Sequence, residues 1–291
     1  MNDEFSPQLM ELRRELDEGL PAGVTWQKET LFLKLKGLGA AKACRNKLKL
    51  MQSVAPILRR CLNDGEEVVH VSSGIVNRLW EQMFMGAWAA LVNQTTLVLT
   101  DRRLLLIHMS GKKPQSYVNQ IPLTAVKKVG GAFALKVELA VGAVTLTGVP
   151  GPSRKFFKER LAQTGGAPAG GLECLCPKCY THHEGFTEHC SNCNADTKSP
   201  KVAALRSLVL PGLGDFYLGH HVMATMEIVG SLITWGVAVF LIIEGTETQE
   251  PILQGVGVGV ILMANILDAL LTRAQARKGM MAADGTLATA D

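Results

Sequence analysis

Aromatic residues are scarce in this sequence. Trp, Tyr and Phe make up 5% of 291 residues, too few for a surface that stacks successive nucleic-acid bases. Charge is also thin: Asp, Glu, Lys and Arg contribute 19%, against about 25% in an average soluble domain. The mean hydropathy is +0.16. That balance excludes a mainly disordered chain and points to segments buried in lipid. The N-terminus, MNDEFSPQLMELRREL, lacks the apolar core of a signal peptide, so none is expected. No phosphate loop or strand-linked dinucleotide fingerprint occurs, since Gly212-Leu213-Gly214 lacks the required strand and spacing. No Ser, His and Asp placement suggests a nucleophilic triad. The chain is therefore read as a non-enzyme with no catalytic residues.

The charge and the cysteines that are present are unevenly spread. Net charge is only +4, yet Lys28–Arg60 holds nine basic residues and one acid, Glu29. Pro7–Leu20 reads as a short helix, with Ser6 as N-cap and Gly19 near its stop. A longer helix is expected from about Ala40 to Leu62. Cys44, Leu48, Met51, Ala55, Leu58 and Leu62 share one stripe, Lys42, Arg45 and Lys49 share another face, and Pro56 should kink it. Such a helix could lie along an anionic membrane, or pack on the following domain with its basic face in water.

From Gly65 to about Gln163 the pattern is β-rich. Glu66–Val71, Thr95–Thr100, Arg102–His108, Ile121–Val129, Leu135–Val141 and Ala143–Val149 read as strands. Asp101, Gly111–Pro114 and Gly142 are turns, and Ser153–Leu161 is an amphipathic helix. Short strands closed by one helix make a small barrel or sandwich with a helical plug. This order resembles bacterial pleckstrin-homology-like domains. The likeness is carried by Gly65-Glu66-Glu67-Val68, Leu97-Val98-Leu99-Thr100-Asp101-Arg102-Arg103-Leu104-Leu105 and Ile121-Pro122-Leu123-Thr124-Ala125-Val126. The stretch Arg78–Asn93 departs from that family. With Trp80, Phe84 and Trp88 at helical spacing, it reads either as an insert dipping into a membrane interface or as a flap over the barrel core. Thr164–Gly171, TGGAPAGG, reads as a flexible linker.

Five of the seven cysteines fall within Cys174–Cys193. Cys176, Cys179, Cys190 and Cys193 form C-x2-C-x10-C-x2-C, two tight turns that can supply four thiolates to one tetrahedral ion. The expected cofactor is zinc in a structural role, with iron held as in rubredoxin second, and the resemblance is to short zinc ribbons. Cys174 could replace Cys176, while His182, His183 and His189 read as solvated loop residues. A closed four-sulfur shell leaves no position for substrate.

Two apolar stretches follow, Val222–Ile243 and Pro251–Leu271. At 22 and 21 residues, each can span a bilayer. Loop Glu244–Glu250 forces an antiparallel hairpin, and Gly255–Gly259 forms a GxxxG. Lys198, Lys201 and Arg206 precede the hairpin, Arg273, Arg277 and Lys278 follow it, and the loop has no basic residue. The positive-inside rule places both termini in the cytoplasm, the side where thiols stay reduced. The segment Leu208-Val209-Leu210-Pro211-Gly212-Leu213-Gly214-Asp215-Phe216-Tyr217-Leu218-Gly219-His220 resembles the signature of the TM-two family of membrane hairpins. Ile266-Leu267-Asp268-Ala269-Leu270 resembles that family's exit helix. The site residues carried by this likeness are Pro211, Gly212, Gly214, Phe216, Tyr217 and Gly219. Glu227, Asn265 and Asp268 are the intramembrane polar candidates, and Glu227 and Asp268 are expected at the cytoplasmic end.

The sequence thus reads as a multidomain α+β membrane protein. It comprises an N-terminal helical region (1–63), a PH-like barrel or sandwich with a C-terminal helix (64–163), a linker (164–173), a zinc ribbon (174–197), a TM-two-like hairpin (198–278) and a flexible tail (279–291). The expected address is the bacterial inner membrane, multi-pass, and the expected role is a binding or scaffold unit. Membrane lipids are expected partners, with a protein partner or self-association through the PH-like module. Two alternatives stand beside it: an oligomeric channel or transport component, and a zinc-ribbon nucleic-acid-binding protein. Against the last, Cys174–Cys193 has one Lys, no Arg and two acids, so nucleic acid is not an expected partner.

Overall fold

The structure is a computed structural model that describes residues 7–77, 90, 92–111, 113–163 and 168–289. By its internal packing the chain divides into two compact units. The first holds Met1–Gly185 together with Thr286–Asp291, and the second holds Phe186–Gly285. The division differs from the expected domains, because the first cysteine turn belongs to the unit that carries the sheet.

The first unit is built on nine strands: β1 (Val68–Asn77), β2 (Gln94–Thr100), β3 (Arg103–Ser110), β4 (Lys113–Pro122), β5 (Val126–Gly130), β6 (Leu135–Leu139), β7 (Ala143–Thr147), β8 (Glu173–Leu175) and β9 (His182–His183). They pair antiparallel in the order β5-β6-β7-β1-β2-β3-β4-β8-β9. Successive residues of a strand point to opposite faces, yet seven consecutive residues of β3, Arg103–Met109, are all buried. Both faces are therefore covered. Val98, Leu105 and Ile107 join one core with Val68 and Val71, under helices α1 (Pro7–Glu18), α2 (Lys28–Leu31) and α3 (Ala40–Cys61). Leu97, Leu99, Leu104 and Leu106 face the other way, into a core closed by Phe157 and Leu161 of α4 (Gly151–Ala162). Each fully buried large aliphatic side chain contributes about 1.5–3 kcal/mol.

The stripe on α3 faces this sheet. Cys44, Leu48, Met51, Ala55 and Leu58 are buried, Leu62 is half-buried, and Val54, Ile57 and Cys61 join the buried set. The helix runs on through Pro56. Its apolar face is occupied by protein, which favours the packing reading over the membrane-lying one.

Strand β4 was expected as a turn plus the start of another strand. Its sequence, KPQSYVNQIP, is polar because two buried members, Asn119 and Gln120, are hydrogen-bonding positions in a strand paired on both sides. Gln120 donates to Glu173 at 2.5 Å and accepts from Arg103. The expected strand Ile121–Val129 is broken by a 3-10 turn, Leu123–Ala125, after Pro122. Of the expected Arg78–Asn93 insert, residues 78–89 and 91 lie outside the described residues. In the expected linker the second half packs on the sheet: the Ala169 N–H donates to Thr124 O, and the Val141 N–H donates to Gly170 O, each at 3.1 Å.

A buried ion pair fixes the start of this sheet. The guanidinium of Arg103 grips Glu66 through Nε–Oε1 at 2.9 Å and Nη2–Oε2 at 2.8 Å, and also reaches Cys61 O at 2.7 Å. Burial alone would raise the Glu66 pKa, but the bonds from Arg103, the Asn63 N–H and Thr100 outweigh it, and the carboxyl lies below its ordinary value. That contribution is present above the ordinary Glu value and is lost as pH falls through the lowered one.

In the second unit, α5 (Pro200–Val209) and α6 (Leu213–Leu218) lead into two long helices, α7 (His221–Glu247) and α8 (Pro251–Ala276). Both are long and apolar enough to cross a membrane, at 27 and 26 residues. A tight turn through Gln249, φ +56°, makes them antiparallel neighbours. They close on glycine: a Cβ on Gly257 would stand 2.6 Å from Ala238 O, and one on Gly245 2.8 Å from Leu253 Cβ. The GxxxG glycines Gly255 and Gly259 face open space, so the residue between them makes the contact. The start of the segment expected as a flexible tail is packed. Met280, Met281 and Ala282 are buried, and the Lys198 N–H donates to Met281 O at 2.8 Å.

Arg103→Met should destabilise the chain by about 3–5 kcal/mol, because it strands a buried carboxylate. Adding Glu66→Gln should recover most of the loss. Urea unfolding of the detergent-solubilised chain, followed by circular dichroism, measures both; equal losses in the single and double variants would contradict the coupling.

Candidate functional site

Two clusters of chemically active side chains stand out among the described residues. The first is built from two cysteine turns of the same local design. In one, the Tyr180 N–H donates to Cys176 O at 3.0 Å and Tyr180 has φ +57°. In the other, the Asn194 N–H donates to Cys190 O at 2.9 Å and Asn194 has φ +53°. Each residue after the second cysteine turns left-handed, which lets both thiols of a pair point the same way. Tyr is a strained choice there and Asn a tolerated one. The Tyr180 hydroxyl donates to Ala288 O, and the Ala288 N–H donates to Pro177 O at 2.8 Å, which holds the first turn down.

Within this 18-residue stretch the four sulfurs of Cys176, Cys179, Cys190 and Cys193 lie within 4.8 Å of one another. Tetrahedral zinc with Zn–S bonds of about 2.3 Å needs sulfurs about 3.8 Å apart, so the set fits with small adjustment. Cys176 and Cys190 are buried and Cys193 is exposed. Cys174 is not in the cluster: it sits in β8, paired to Asn119 and His183. The cluster includes no histidine, and His189 is instead 2.6 Å from the Asp196 carboxylate. Four thiolates would hold the ion in a closed shell, a cross-link and not a reaction centre.

The second cluster lies at one end of the hairpin. Carboxyl oxygens of Asp215, Glu227 and Asp268 come within 4.8 Å of one another. Asp215, at the third position of α6, accepts from Thr272 Oγ1 at 3.0 Å and lies 2.9 Å from His220 Nδ1. Thr272 Oγ1 is in turn 3.0 Å from Ser207 Oγ. Asp268 accepts from the Gly212 N–H at 3.0 Å. The glycines of the segment make this possible. Gly212 has φ +90°, and a Cβ there would stand 2.6 Å from Ala224 O; on Gly214 it would stand 2.3 Å from Ser207 Oγ and 2.4 Å from Ala203 O. Gly219, φ +93°, ends α6, and Pro211 is buried at its approach.

The remaining expected residues frame this cluster. The Tyr217 hydroxyl accepts from the Ser199 N–H at 3.1 Å, and its ring carries the Arg206 guanidinium 4.5 Å from its centroid. Phe216 is half exposed, with its ring 4.8 Å from that of His221. Asn265 donates to Leu208 O at 2.9 Å, tying α8 to α5. Sequence reasoning placed Glu227 and Asp268 together but passed over Asp215, His220, Ser207 and Thr272. Asp215 and His220 stood inside the quoted motif; Ser207 and Thr272 carried no signal, because only tertiary packing brings them in.

The chain should carry one tetrahedral metal ion, read by elemental analysis of the purified protein. Cys193→Ala should remove it, and Cys174→Ser should leave it. Separately, Asp268→Ala should leave the buried Gly212 N–H without an acceptor, at about 1–3 kcal/mol. Thermal unfolding in mild detergent checks this, and an unchanged midpoint would mean that water replaces the carboxylate.

No family model matches this chain, and no curated protein matches it. Among the solved structures that match is a crystal structure of the DH and PH domains of p115-RhoGEF, 15% identical, with a TM-score of 0.28. The likeness covers 57% of this chain and just over half of that one, 56%. At that TM-score it carries no argument about fold or role.

Proposed function

We propose that this chain is a non-enzymatic protein of the bacterial inner membrane. In this reading a cytoplasmic PH-like sheet unit and a structural zinc ribbon act as a binding or scaffold unit, held to the bilayer by a two-helix hairpin. The observation that carries it is the apolar surface of α7 and α8. Large hydrophobic side chains such as Val229, Leu232, Phe240, Ile252, Leu262 and Met263 are exposed along both helices, far beyond the patches that soluble monomers leave in water. Each helix would be about 40 Å long at 1.5 Å per residue, enough for the hydrocarbon layer with a margin.

Helix α5 supports the same reading. Val202, Leu205, Leu208 and Val209 are exposed on it, while Ala203 and Ser207 are buried. Such a helix suits the interface, with Arg206 and Tyr217 at headgroup level. The basic residues flanking the hairpin favour cytoplasmic termini, which also keeps the thiols reduced. The protein should resist carbonate extraction. With the metal first stripped by a membrane-permeant chelator, a membrane-impermeant thiol reagent should label Cys193 only after the membrane is opened; labelling in intact spheroplasts would reverse the topology.

The carboxyl cluster of Asp215, Glu227 and Asp268 favours a second reading, an oligomeric channel or transport component. Two helices enclose no pore, so that reading needs several copies. Ion flux in liposomes that disappears with Glu227→Gln and Asp268→Asn would establish it; absent flux from the unaltered chain supports the anchor.

A further inference from the structure

A cavity of about 530 Å³ opens in the first unit between α3, β1 and the start of α4. Its apolar wall includes Phe32, Leu33, Leu50 and Val71, and Lys47 lines it. The Lys47 Nζ donates to Leu31 O and lies 3.1 Å from Nε2 and 3.4 Å from Nδ1 of His70. Near-equal distances to both ring nitrogens place the amine over the imidazole instead of in its plane.

The imidazole is otherwise engaged. Its Nδ1 is 2.7 Å from Thr30 O, an acceptor, so Nδ1 carries the hydrogen. Nε2 then accepts from Ser153 Oγ at 3.0 Å. Burial, and then the charge of Lys47, push the His70 pKa down to about 3, so a neutral ring faces the amine. The other groups at this place are the Cys44 thiol on α3, whose pKa burial raises, Lys34 before α3, Ser72 and Ser73 of β1, and Ser153 of α4. None is a carboxylate, and no ion pair of Lys47 occurs among the described residues.

A desolvated amine beside an apolar cavity, with no counter-charge, is the arrangement that turns lysine into a nucleophile. We propose that Lys47 takes small apolar aldehydes from solution and holds them in this cavity as an imine. The Nζ lone pair attacks the carbonyl carbon, and the carbon–oxygen π pair moves to oxygen. Two protons pass from nitrogen to that oxygen, and water leaves, so amine plus aldehyde give imine plus water. Burial pulls the amine down to about 7, against a small opposing effect of Cys44. At pH 7 about half of it is then unprotonated, against roughly one in 2,500 for an ordinary lysine near 10.4. The site is independent of the membrane reading.

The test treats the full-length chain in mild detergent with butyraldehyde and cyanoborohydride, and maps the alkylated lysines by peptide mass spectrometry. Lys49, exposed on the same helix, is the internal reference and cancels the reagent's own pH dependence. The rate ratio of Lys47 to Lys49 should exceed tenfold at pH 7 and fall severalfold by pH 10, a range over which Lys47 has little free amine left to gain. A ratio near or below one at pH 7, or one that stays constant from pH 7 to 10, would overturn the proposal. Because the unaltered protein is used, no variant need fold.

Discussion

Water offers no stabilising contact to the outward side chains of α7 and α8, and that constraint orders the second unit. Two helices of 27 and 26 residues would together leave a large apolar face unburied, at a cost of about 25 cal/mol for each Å². With that face turned away from the protein, the polar groups must collect where other protein groups can serve them. They do so at the end where α5 and α6 meet the hairpin: Asp215, Glu227, Asp268, Thr272 and Ser207 converge. Glycine is what admits them. At Gly212 and Gly214 any larger residue would drive its Cβ into a neighbouring carbonyl, so the sequence keeps glycine where backbone meets backbone.

Burial on both faces shapes the first unit. A strand buried on both faces reads as an unbroken apolar run, not as an alternation, and Leu104-Leu105-Leu106-Ile107 is such a run. Its two sides belong to different cores, one under the N-terminal helices and one under α4. Arg103 begins that strand, and its pairing with Glu66 joins the end of α3 to the sheet through Cys61 O. The N-terminal helices are thus a wall of the sheet unit and not a separate region.

Much of this was legible beforehand. The boundaries of α3, the apolar strands β2 and β3, the hairpin and the four cysteines each announce themselves by period or spacing, because one physical requirement fixes the residue type. What stayed hidden obeys two requirements at once. Strand β4 is polar since it sits between two partners and serves Arg103 through Gln120. Cys174 looked interchangeable with Cys176 because spacing cannot tell a strand residue from a turn residue. Thr272 meets Asp215 from 57 positions away, and no local pattern records that. The Lys47 cavity is of the same kind, formed by α3, β1 and α4, whose sequences give no sign of meeting.

Residues 281–288 carry a consequence for the order in which the fold is made. Met281 and Ala282 pair with Lys198 and Thr197, and Ala288 pairs with Pro177. Both cysteine turns leave the ribosome roughly a hundred residues before these partners do, and the two apolar helices are synthesised in between. The first turn, and the residues just after the second, cannot acquire these neighbours until translation has passed the hairpin. These contacts therefore close only after the hairpin has been made.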